Sequence, residues 1–199
     1  MIGIIDYGAG NLLSVKKAFD YLNGENVIIQ SSEAFVDIEK LVLPGVGAFS
    51  ASMNSMKLRR LHELTTEWIL ADKPFLGICV GLQMLFEESD EFGTSKGLGV
   101  LLGRVPRFKD GKVPQIGWNQ VKQCQDVPLW NGIPDKSFFY FVHSYYVDTP
   151  QQETIIGETD YHITYTSAVK KGNCYAVQFH PEKSGAVGIQ VLQNWMTLC

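Results

Sequence analysis

The sequence predicts an α/β protein with an open central sheet, mostly parallel or mixed, that is flanked by helices. Up to about Gly97, short apolar runs alternate with longer segments whose apolar residues recur at helical spacing. This alternation is typical of a parallel sheet that is covered on both faces. After about Gly97 the pattern changes to short strand-like runs. The 199 residues show no repeat and no linker, so we expect residues 1–199 to form one domain.

The first elements are a strand, a turn and a helix. Residues 1–6 are an apolar run that ends at an acidic residue. The stretch Gly8-Ala-Gly10-Asn11 predicts a turn, with Asn11 as the N-cap of the next helix. That helix is predicted because apolar residues recur on one face, namely Leu12, Val15, Phe19 and Leu22.

Three further strands and one long helix complete the first half. Strands are predicted over residues 26–30, over residues 40–43, which Pro44-Gly45 ends, and over residues 75–78. Residues 51–70 form a predicted helix whose inward face is Met56, Leu61, Leu64 and Trp68. A helix-like run, residues 84–88, follows the fourth strand.

The second half predicts several strands and a final helix. Strand-like runs lie near Val100, Val121 and Ile155, and over residues 138–142, 163–169 and 174–179. Residues 186–196 predict a helix with the apolar face Val187, Val191, Leu192 and Trp195.

Composition excludes several functional classes. The net charge of −4 argues against nucleic acid as the main ligand, because a basic face would be expected. No run of apolar residues approaches the roughly 20 needed to span a membrane. The four cysteines show no paired spacing, which favours a reduced, cytoplasmic protein over a disulfide framework. Asp6 interrupts the N-terminal apolar run too early for a signal peptide.

The stretch Gly77-Ile-Cys79-Val-Gly81 is the most informative motif. It joins the predicted fourth strand to a helix-like run. Glycines two positions before and after a nucleophile permit a sharp strand-to-helix turn with the nucleophile at its apex. At a helix N-terminus the positive partial field favours the thiolate. A free cysteine is often only a small core residue, but a core cysteine needs neither flanking glycine.

A candidate base and acid follow near the C-terminus. Pro181 biases His180 toward an extended conformation, and residues two apart in an extended segment project to the same side. His180 and Glu182 are therefore predicted to project together, so that the carboxylate orients the imidazole. With Cys79 they form a candidate cysteine-histidine-acid triad. The alternative for His180 is an ordinary surface histidine.

The stretch Pro44-Gly-Val-Gly47 is either a simple turn or an oxyanion hole. Small residues expose backbone N–H groups, which can face a developing negative charge. We assign Val46 and Gly47 to this role, with the N–H group of Val80 as a further donor. Removing one such donor typically slows catalysis by a barrier increase of about 3 kcal/mol.

Other motifs give no cofactor or metal site. The Gly8-Ala-Gly10 pair lacks the third glycine of a dinucleotide-binding loop, because Leu13 stands in its place. The four histidines do not cluster with cysteines at metal-ligand spacing. We therefore expect neither a metal nor a cofactor.

Taken together, these motifs resemble the class I, or triad, glutamine amidotransferases, and more narrowly the glutaminase subunits of imidazole glycerol phosphate synthase, from histidine biosynthesis. The resemblance runs end to end. It is carried by Asp6-Tyr-Gly-Ala-Gly-Asn-Leu12, Leu43-Pro-Gly-Val-Gly-Ala-Phe49, Gly77-Ile-Cys-Val-Gly-Leu-Gln83, Pro114-Gln-Ile-Gly-Trp-Asn119, Tyr140-Phe-Val-His-Ser-Tyr145 and His180-Pro-Glu-Lys-Ser184. It implies the flavodoxin-like, mixed open sheet of that family.

The resemblance also implies the chemistry. Cys79 attacks the side-chain amide of glutamine, His180 protonates the departing ammonia and then activates water, and Glu182 orients His180. The residues implied to hold glutamine are Gly47, Gln83, Glu91, Ser144 and Tyr145. For Glu91 the alternative is a solvated acidic segment at Glu87-Glu-Ser-Asp-Glu91.

The partner implied by the resemblance is a cyclase subunit with a (βα)8-barrel fold, which forms a heterodimer with this chain and receives the ammonia. The implied interface residues are Trp118, Asn119, Tyr140 and Lys183. Trp118 and Tyr140 are alternatively core residues. Two other functions stay open: a catalytically idle regulatory subunit, and an amidotransferase that serves a different acceptor.

Overall fold

The structure is a computed structural model that describes residues 1–8 and 11–199. Residues 9 and 10 of the predicted turn lie outside the described residues. The helices are α1 Leu12–Tyr21, α2 Phe49–Leu58, α3 Leu61–Leu70, α4 Val80–Gln83 and α5 Gly185–Leu198. The strands are β1 Ile2–Ile5, β2 Asn26–Ile29, β3 Lys40–Gly45, β4 Phe75–Cys79, β5 Glu88–Ser89, β6 Ser95–Lys96, β7 Arg104–Val105, β8 Gln115–Gln123, β9 Ser137–His143, β10 Ile155–Tyr161, β11 Ile163–Lys171 and β12 Cys174–Val177.

A nine-stranded mixed sheet forms the centre, in the order β2-β1-β3-β4-β12-β11-β10-β8-β9. Five neighbouring strands, β2, β1, β3, β4 and β12, are parallel to one another. The remaining strands extend the sheet in antiparallel pairs. The predicted α/β class with a mixed open sheet is confirmed.

The position of β12 assembles distant parts of the chain. This strand is late in sequence, yet it lies beside β4, with Val177 paired to Ile78. On the other side of β4, Gly45 of β3 pairs with Cys79. The carboxyl ends of three parallel strands therefore meet at one edge, which is where open α/β sheets bind their ligands.

Helices α1 and α5 pack together against the sheet. The rings of Phe19 and Trp195 lie 5.8 Å apart, and the indole N–H of Trp195 donates to the carbonyl of Phe75 on β4. Both aromatic side chains are fully buried. The predicted apolar face of the last helix is confirmed at Val191 and Leu192 as well, while Val187 is half-buried.

The predicted helix over residues 51–70 is wrong in one respect, because it is two helices. Arg60 adopts a left-handed conformation with φ of 55° between α2 and α3, and this ends the run of helical hydrogen bonds. The predicted inward face of the second helix is confirmed at Leu61 and Trp68 but not at Leu64. Its buried face consists of Leu61, Thr65, Trp68 and Ile69, whereas Leu64 is only half-buried.

Three other predicted boundaries are wrong. The run 84–88 is not helical, because the carbonyls of Met84 and Leu85 accept N–H groups from Leu98 and Val100 instead of from the next turn. That fold-back also removes the strand expected near Val100. Strand β3 does not end before Pro44-Gly45 but continues through both residues.

Among the described residues, no helix has the length and apolar character to cross a membrane.

Candidate active site

Cys79 sits at the predicted sharp turn between β4 and α4. Its backbone has φ of 54° and ψ of −108°, a region that non-glycine residues avoid and that costs about 1 to 3 kcal/mol. Such strain persists only where the surroundings enforce it, and it clusters at functional sites. The helix that follows has only one turn.

The two flanking glycines are required by close approach. A Cβ atom added to Gly81 would lie 2.0 Å from the backbone oxygen of Leu43 on β3. A Cβ atom added to Gly77 would lie 2.9 Å from the backbone oxygen of Gly81 and 3.0 Å from the Cβ atom of Ala176. The turn therefore packs directly against both neighbouring strands, and glycine is the residue that permits this.

A cavity of about 260 Å³ opens at Cys79. This volume suits a small molecule below drug size. Beside Cys79 and His180, the lining contains all seven residues that were predicted for the oxyanion hole or for glutamine: Val46, Gly47, Val80, Gln83, Glu91, Ser144 and Tyr145. It also contains Pro114, Val142 and His143, which the sequence did not single out.

His180 and Glu182 form a buried pair. The Nδ1 atom of His180 lies 2.9 Å from Glu182 Oε1, and the two side chains are 1% and 0% exposed. With Nδ1–H donated to the carboxylate, Nε2 is the free nitrogen, and it is buried without a hydrogen-bond partner in the protein. The expected extended conformation holds at His180 only, because Pro181–Lys183 forms a 3₁₀ turn. That turn brings the carboxylate back to the imidazole.

The side chain of Asn11 supports a carboxylate rather than the helix. Asn11 occupies the predicted N-cap position of α1, and its carbonyl accepts the N–H group of Val15, but its side chain makes no capping hydrogen bond. Instead its amide donates to Glu182 Oε1 at 2.8 Å. The N-terminal motif is thereby connected to Glu182, the predicted acid, and sequence reasoning missed this contact because the side chain of an asparagine before a helix usually caps that helix.

The two histidines of the cavity have opposite electrostatics. Burial disfavours the charged imidazolium, but the negative charges of Cys79 and Glu182 outweigh it and raise the pKa of His180 to about 10. Burial and the nearby charge of His180 lower the pKa of His143 to about 4, although its hydrogen bond to Tyr145 opposes the shift. At neutral pH, His180 is therefore protonated and His143 is uncharged.

His143 holds the backbone beside Ser144. Its Nδ1 atom lies 2.8 Å from the carbonyl of Tyr145, which can only accept, so Nδ1 carries the hydrogen. Its Nε2 atom faces the hydroxyl of Tyr165 at 3.1 Å. The available signal was position, since His143 stands inside the block that contains Ser144 and Tyr145.

Buried His143 makes the fold sensitive to acid. Its pKa is about 4 in the folded protein and about 6.5 when unfolded, so between these values only the unfolded chain takes up the proton. The free energy of unfolding should therefore fall as the pH drops from 6.5 to 4, by roughly 3 kcal/mol from this group. Urea denaturation of the natural protein and of His143→Gln at pH 7 and 4.5 tests this. If both proteins lost the same free energy of unfolding between pH 7 and pH 4.5, the prediction would be contradicted.

Glu91 is part of the cavity rather than of a solvated segment. Its Oε2 atom accepts the backbone N–H of Phe49, the first residue of α2, at 2.5 Å.

Gln83 is 4% exposed, and its amide nitrogen donates to the carbonyl of Tyr145 at 3.0 Å and to the side-chain oxygen of Gln178 at 3.1 Å. Because both N–H groups of Gln83 are used, Gln83 can offer a ligand only its oxygen.

The comparison with known families decides the class. The family model for class I glutamine amidotransferases matches residues 3–198. The chain belongs to this family. As a class I glutamine amidotransferase, it is 47% identical over 199 residues to imidazole glycerol phosphate synthase subunit HisH of Methanocaldococcus jannaschii, with all of both chains covered. It is 44% identical over 196 residues to the subunit of the same name from Bacillus cereus, with 98% of this chain and 93% of the relative covered.

Solved structures have the same fold as this class I glutamine amidotransferase. A chain from the structure of PurLQS from Thermotoga maritima superposes with a TM-score of 0.79 at 17% identity, covering 98% of this chain and 96% of that one. A crystal structure of a glutamine amidotransferase gives a TM-score of 0.76 at 17% identity, with the same coverage. At this identity, the likeness concerns the fold alone.

An apolar patch lies beside the cavity of this class I glutamine amidotransferase. It consists of Ile116 and Trp118 on β8 and of Phe138 and Tyr140 on β9, which project from one face of the sheet. Trp118 is 56% exposed, so the alternative that it is a core residue is wrong. The rings of Trp118 and Tyr140 are in edge contact at 6.2 Å. Period-two alternation around Trp118 was the signal that could have found Ile116.

The other predicted interface residues differ in position. Lys183 is exposed and directly follows Glu182, the predicted acid. Asn119 lies apart from the apolar patch, on the opposite face of β8, where its amide donates to the carbonyl of Asp160. Among residues 1–8 and 11–199, no three His, Cys, Asp or Glu side chains come together as metal ligands.

Proposed function

We propose that this chain is the glutaminase subunit of an imidazole glycerol phosphate synthase in histidine biosynthesis, and that residues 1–199 form one glutamine amidotransferase domain. The observation that carries the proposal is identity of 43–47% over at least 98% of the chain to relatives of that name. The cavity at Cys79 supports it, because it joins a strained cysteine to a buried histidine-carboxylate pair.

The proposed reaction runs through a thioester. The thiolate of Cys79 attacks the side-chain carbonyl carbon of glutamine, and the N–H groups of Val80 and of Val46 and Gly47 stabilise the oxyanion. Protonated His180 then donates its Nε2 proton to the departing nitrogen, which leaves as ammonia. Neutral His180 next takes a proton from water, whose oxygen attacks the thioester, and glutamate leaves as the thiolate of Cys79 forms again.

The proposed glutamine site uses polar residues that line the same cavity as the sulfur. The Glu91 carboxylate is suited to the α-ammonium group, and the Gln83 oxygen can accept a further hydrogen bond from it. Ser144 and Tyr145 are the proposed partners of the α-carboxylate, held by the hydrogen bond from His143 to Tyr145. Glu182 is not among the proposed glutamine contacts, because its side chain is fully buried and does not line the cavity.

The proposed partner is the cyclase subunit, a (βα)8 barrel that forms a heterodimer with this chain on the apolar patch. Aromatic residues such as Trp118 and Tyr140 are enriched at the centres of interfaces. Val142, two residues after Tyr140 on the same strand, lines the cavity, so the patch extends to the rim of the site. A partner seated there would cover the path of ammonia, which must stay uncharged to remain a nucleophile. Lys183 is the proposed charged contact.

Reconstitution tests the function. The purified chain is mixed with a candidate cyclase subunit, glutamine and the cyclase substrate, and glutamate and imidazole glycerol phosphate are followed together. We expect both products in equal amounts. Glutamate without the imidazole product would indicate a different acceptor, and neither product in a complex that forms would indicate an idle regulatory subunit.

Partner binding is expected to raise the glutaminase rate. The backbone of Tyr140, on the partner-facing patch, accepts the N–H of His180 and donates to the hydroxyl of Ser184, so displacement of β9 reaches the base directly. We expect the isolated chain to hydrolyse glutamine about 5 to 150 times more slowly than the complex with the cyclase ligand bound, the usual range of coupling between sites. Steady-state rates under the two conditions measure this, and equal rates would exclude such gating.

A further inference from the structure

We propose that Gln178 is a catalytic residue that donates a hydrogen bond from its amide to the sulfur of Cys79 and so stabilises the thiolate. This inference rests on the proposed function and deepens it, because it concerns the same sulfur. Gln178 directly follows β12, and its side chain is 0% exposed. Its Nε2 atom lies 3.6 Å from Cys79 Sγ, a hydrogen-bond distance for the large sulfur atom.

The direction of this hydrogen bond follows from its neighbours. The carbonyl of Tyr145 can only accept, so the atom of Gln83 that faces it at 3.0 Å is the amide nitrogen. The same nitrogen lies 3.1 Å from Gln178, which must therefore present its oxygen to Gln83. The nitrogen of Gln178 then faces the sulfur. The opposite orientation would set two NH2 groups against each other.

The contact matters because it adds an uncharged donor to the stabilisation that protonated His180 gives the thiolate. Helix α4 has only four residues, so its dipole is small. A buried amide that donates to an anion strengthens as the charge forms, and water cannot replace it at a side chain with no exposure. Gln178 is neutral, and it therefore adds no charge that would compete with protonated His180.

The same donor serves both halves of the proposed reaction. In the first half, it increases the fraction of Cys79 that is present as thiolate. In the second half, the sulfur leaves the thioester as a thiolate again, and the amide favours its departure. His180 supplies the proton transfers in both halves, so the two residues have separate roles.

Two variants of the full chain test the proposal: Gln178→Met, which keeps the length of the side chain but donates nothing, and Gln178→Glu, which places a carboxylate beside the sulfur. Alkylation of Cys79 by iodoacetamide is followed against pH, with peptide mass spectrometry separating Cys79 from the other three cysteines. We expect the midpoint of the Met variant to rise by about one pH unit, a tenfold loss of thiolate below the midpoint. The Glu variant should shift further, because like charges repel.

Activity provides the second measurement. With glutamine, the Met variant should lose about tenfold in kcat near neutral pH, and the Glu variant at least as much. KM should change little in Gln178→Glu, because this variant keeps an oxygen that can accept the N–H group of Gln83 in the glutamine site. The matched control is Thr65→Val, which also removes a buried hydrogen bond, from Thr65 to Leu61 on α3. Its alkylation midpoint and kcat should equal those of the natural protein.

The outcomes separate this proposal from the proposed function. Alkylation requires no glutamine, so a shifted midpoint in a chain without glutaminase activity would support the contact and overturn the reaction. An unshifted midpoint, in whichever of the two variants folds by circular dichroism, would overturn the role of Gln178 whatever the activity.

Discussion

Replacing Cys79 by alanine is expected to lower the rate of glutamine hydrolysis by about 10⁴-fold or more. The sulfur is the atom that would form the covalent intermediate, and no other side chain of the cavity offers a comparable nucleophile. Removing a nucleophile of a triad costs about as much as removing the whole triad. The rate of glutamate formation in the reconstituted complex, at saturating glutamine, measures the effect.

The fold and the complex should survive this change. Cys79 is 3% exposed and its side chain is small, so alanine leaves little empty space. The control is Cys124→Ser, because Cys124 is exposed and does not line the cavity. This variant should keep full activity. Substantial glutaminase activity in Cys79→Ala would overturn the mechanism, whereas loss of the complex would assign Cys79 a structural role.

The elbow and the triad pair were predictable because their signals are local. Gly77 and Gly81 carry the geometry of the turn in the sequence itself, since only glycine fits where Leu43 and Ala176 approach. His180 and Glu182 are two residues apart, so their contact needed no knowledge of the sheet. Even here the route was different, because a 3₁₀ turn and not an extended segment joins them.

The supporting hydrogen bonds were not predictable because they cross the sheet. Asn11 reaches Glu182 over 171 residues of chain, and Gln178 reaches Cys79 over 99. Both contacts exist because β12 inserts beside β4. The sequence pattern of a strand of four residues does not predict which strand it pairs with. Periodicity gives the face of an element and leaves its place in the sheet open.

Helix boundaries failed where tertiary hydrogen bonds replaced local ones. Residues 84–88 have a helical apolar pattern, yet the carbonyls of Met84 and Leu85 accept donors from residues 98–101. Over residues 51–70 the pattern of apolar residues continues through Arg60, and only its left-handed backbone shows the break. A pattern of side chains does not reveal the backbone partner of each carbonyl group.

Replacing Gly81 by alanine is expected to destabilise the protein by about 3 kcal/mol or more and to reduce the activity of the molecules that fold. The added Cβ atom would lie 2.0 Å from the oxygen of Leu43. That oxygen belongs to the backbone of β3, which is held between β1 and β4, so the turn itself must move. Overpacking of this kind is among the few causes of large effects from one substitution.

The turn that would move carries the proposed nucleophile and a proposed oxyanion donor. Gly81 is two residues from Cys79 and adjacent to Val80, a proposed oxyanion donor, and a displacement of about 1 Å can cost 100-fold in rate. Urea denaturation and glutaminase rates measure the two effects. Gly132→Ala is the control, since φ of 71° there adds strain of about 1 to 2 kcal/mol but nothing lies within 4 Å of the new atom. If Gly81→Ala kept the stability and activity of the natural protein, β3 would have to move aside to accommodate the new atom. Close packing against the two neighbouring strands would then not explain the strained backbone of Cys79.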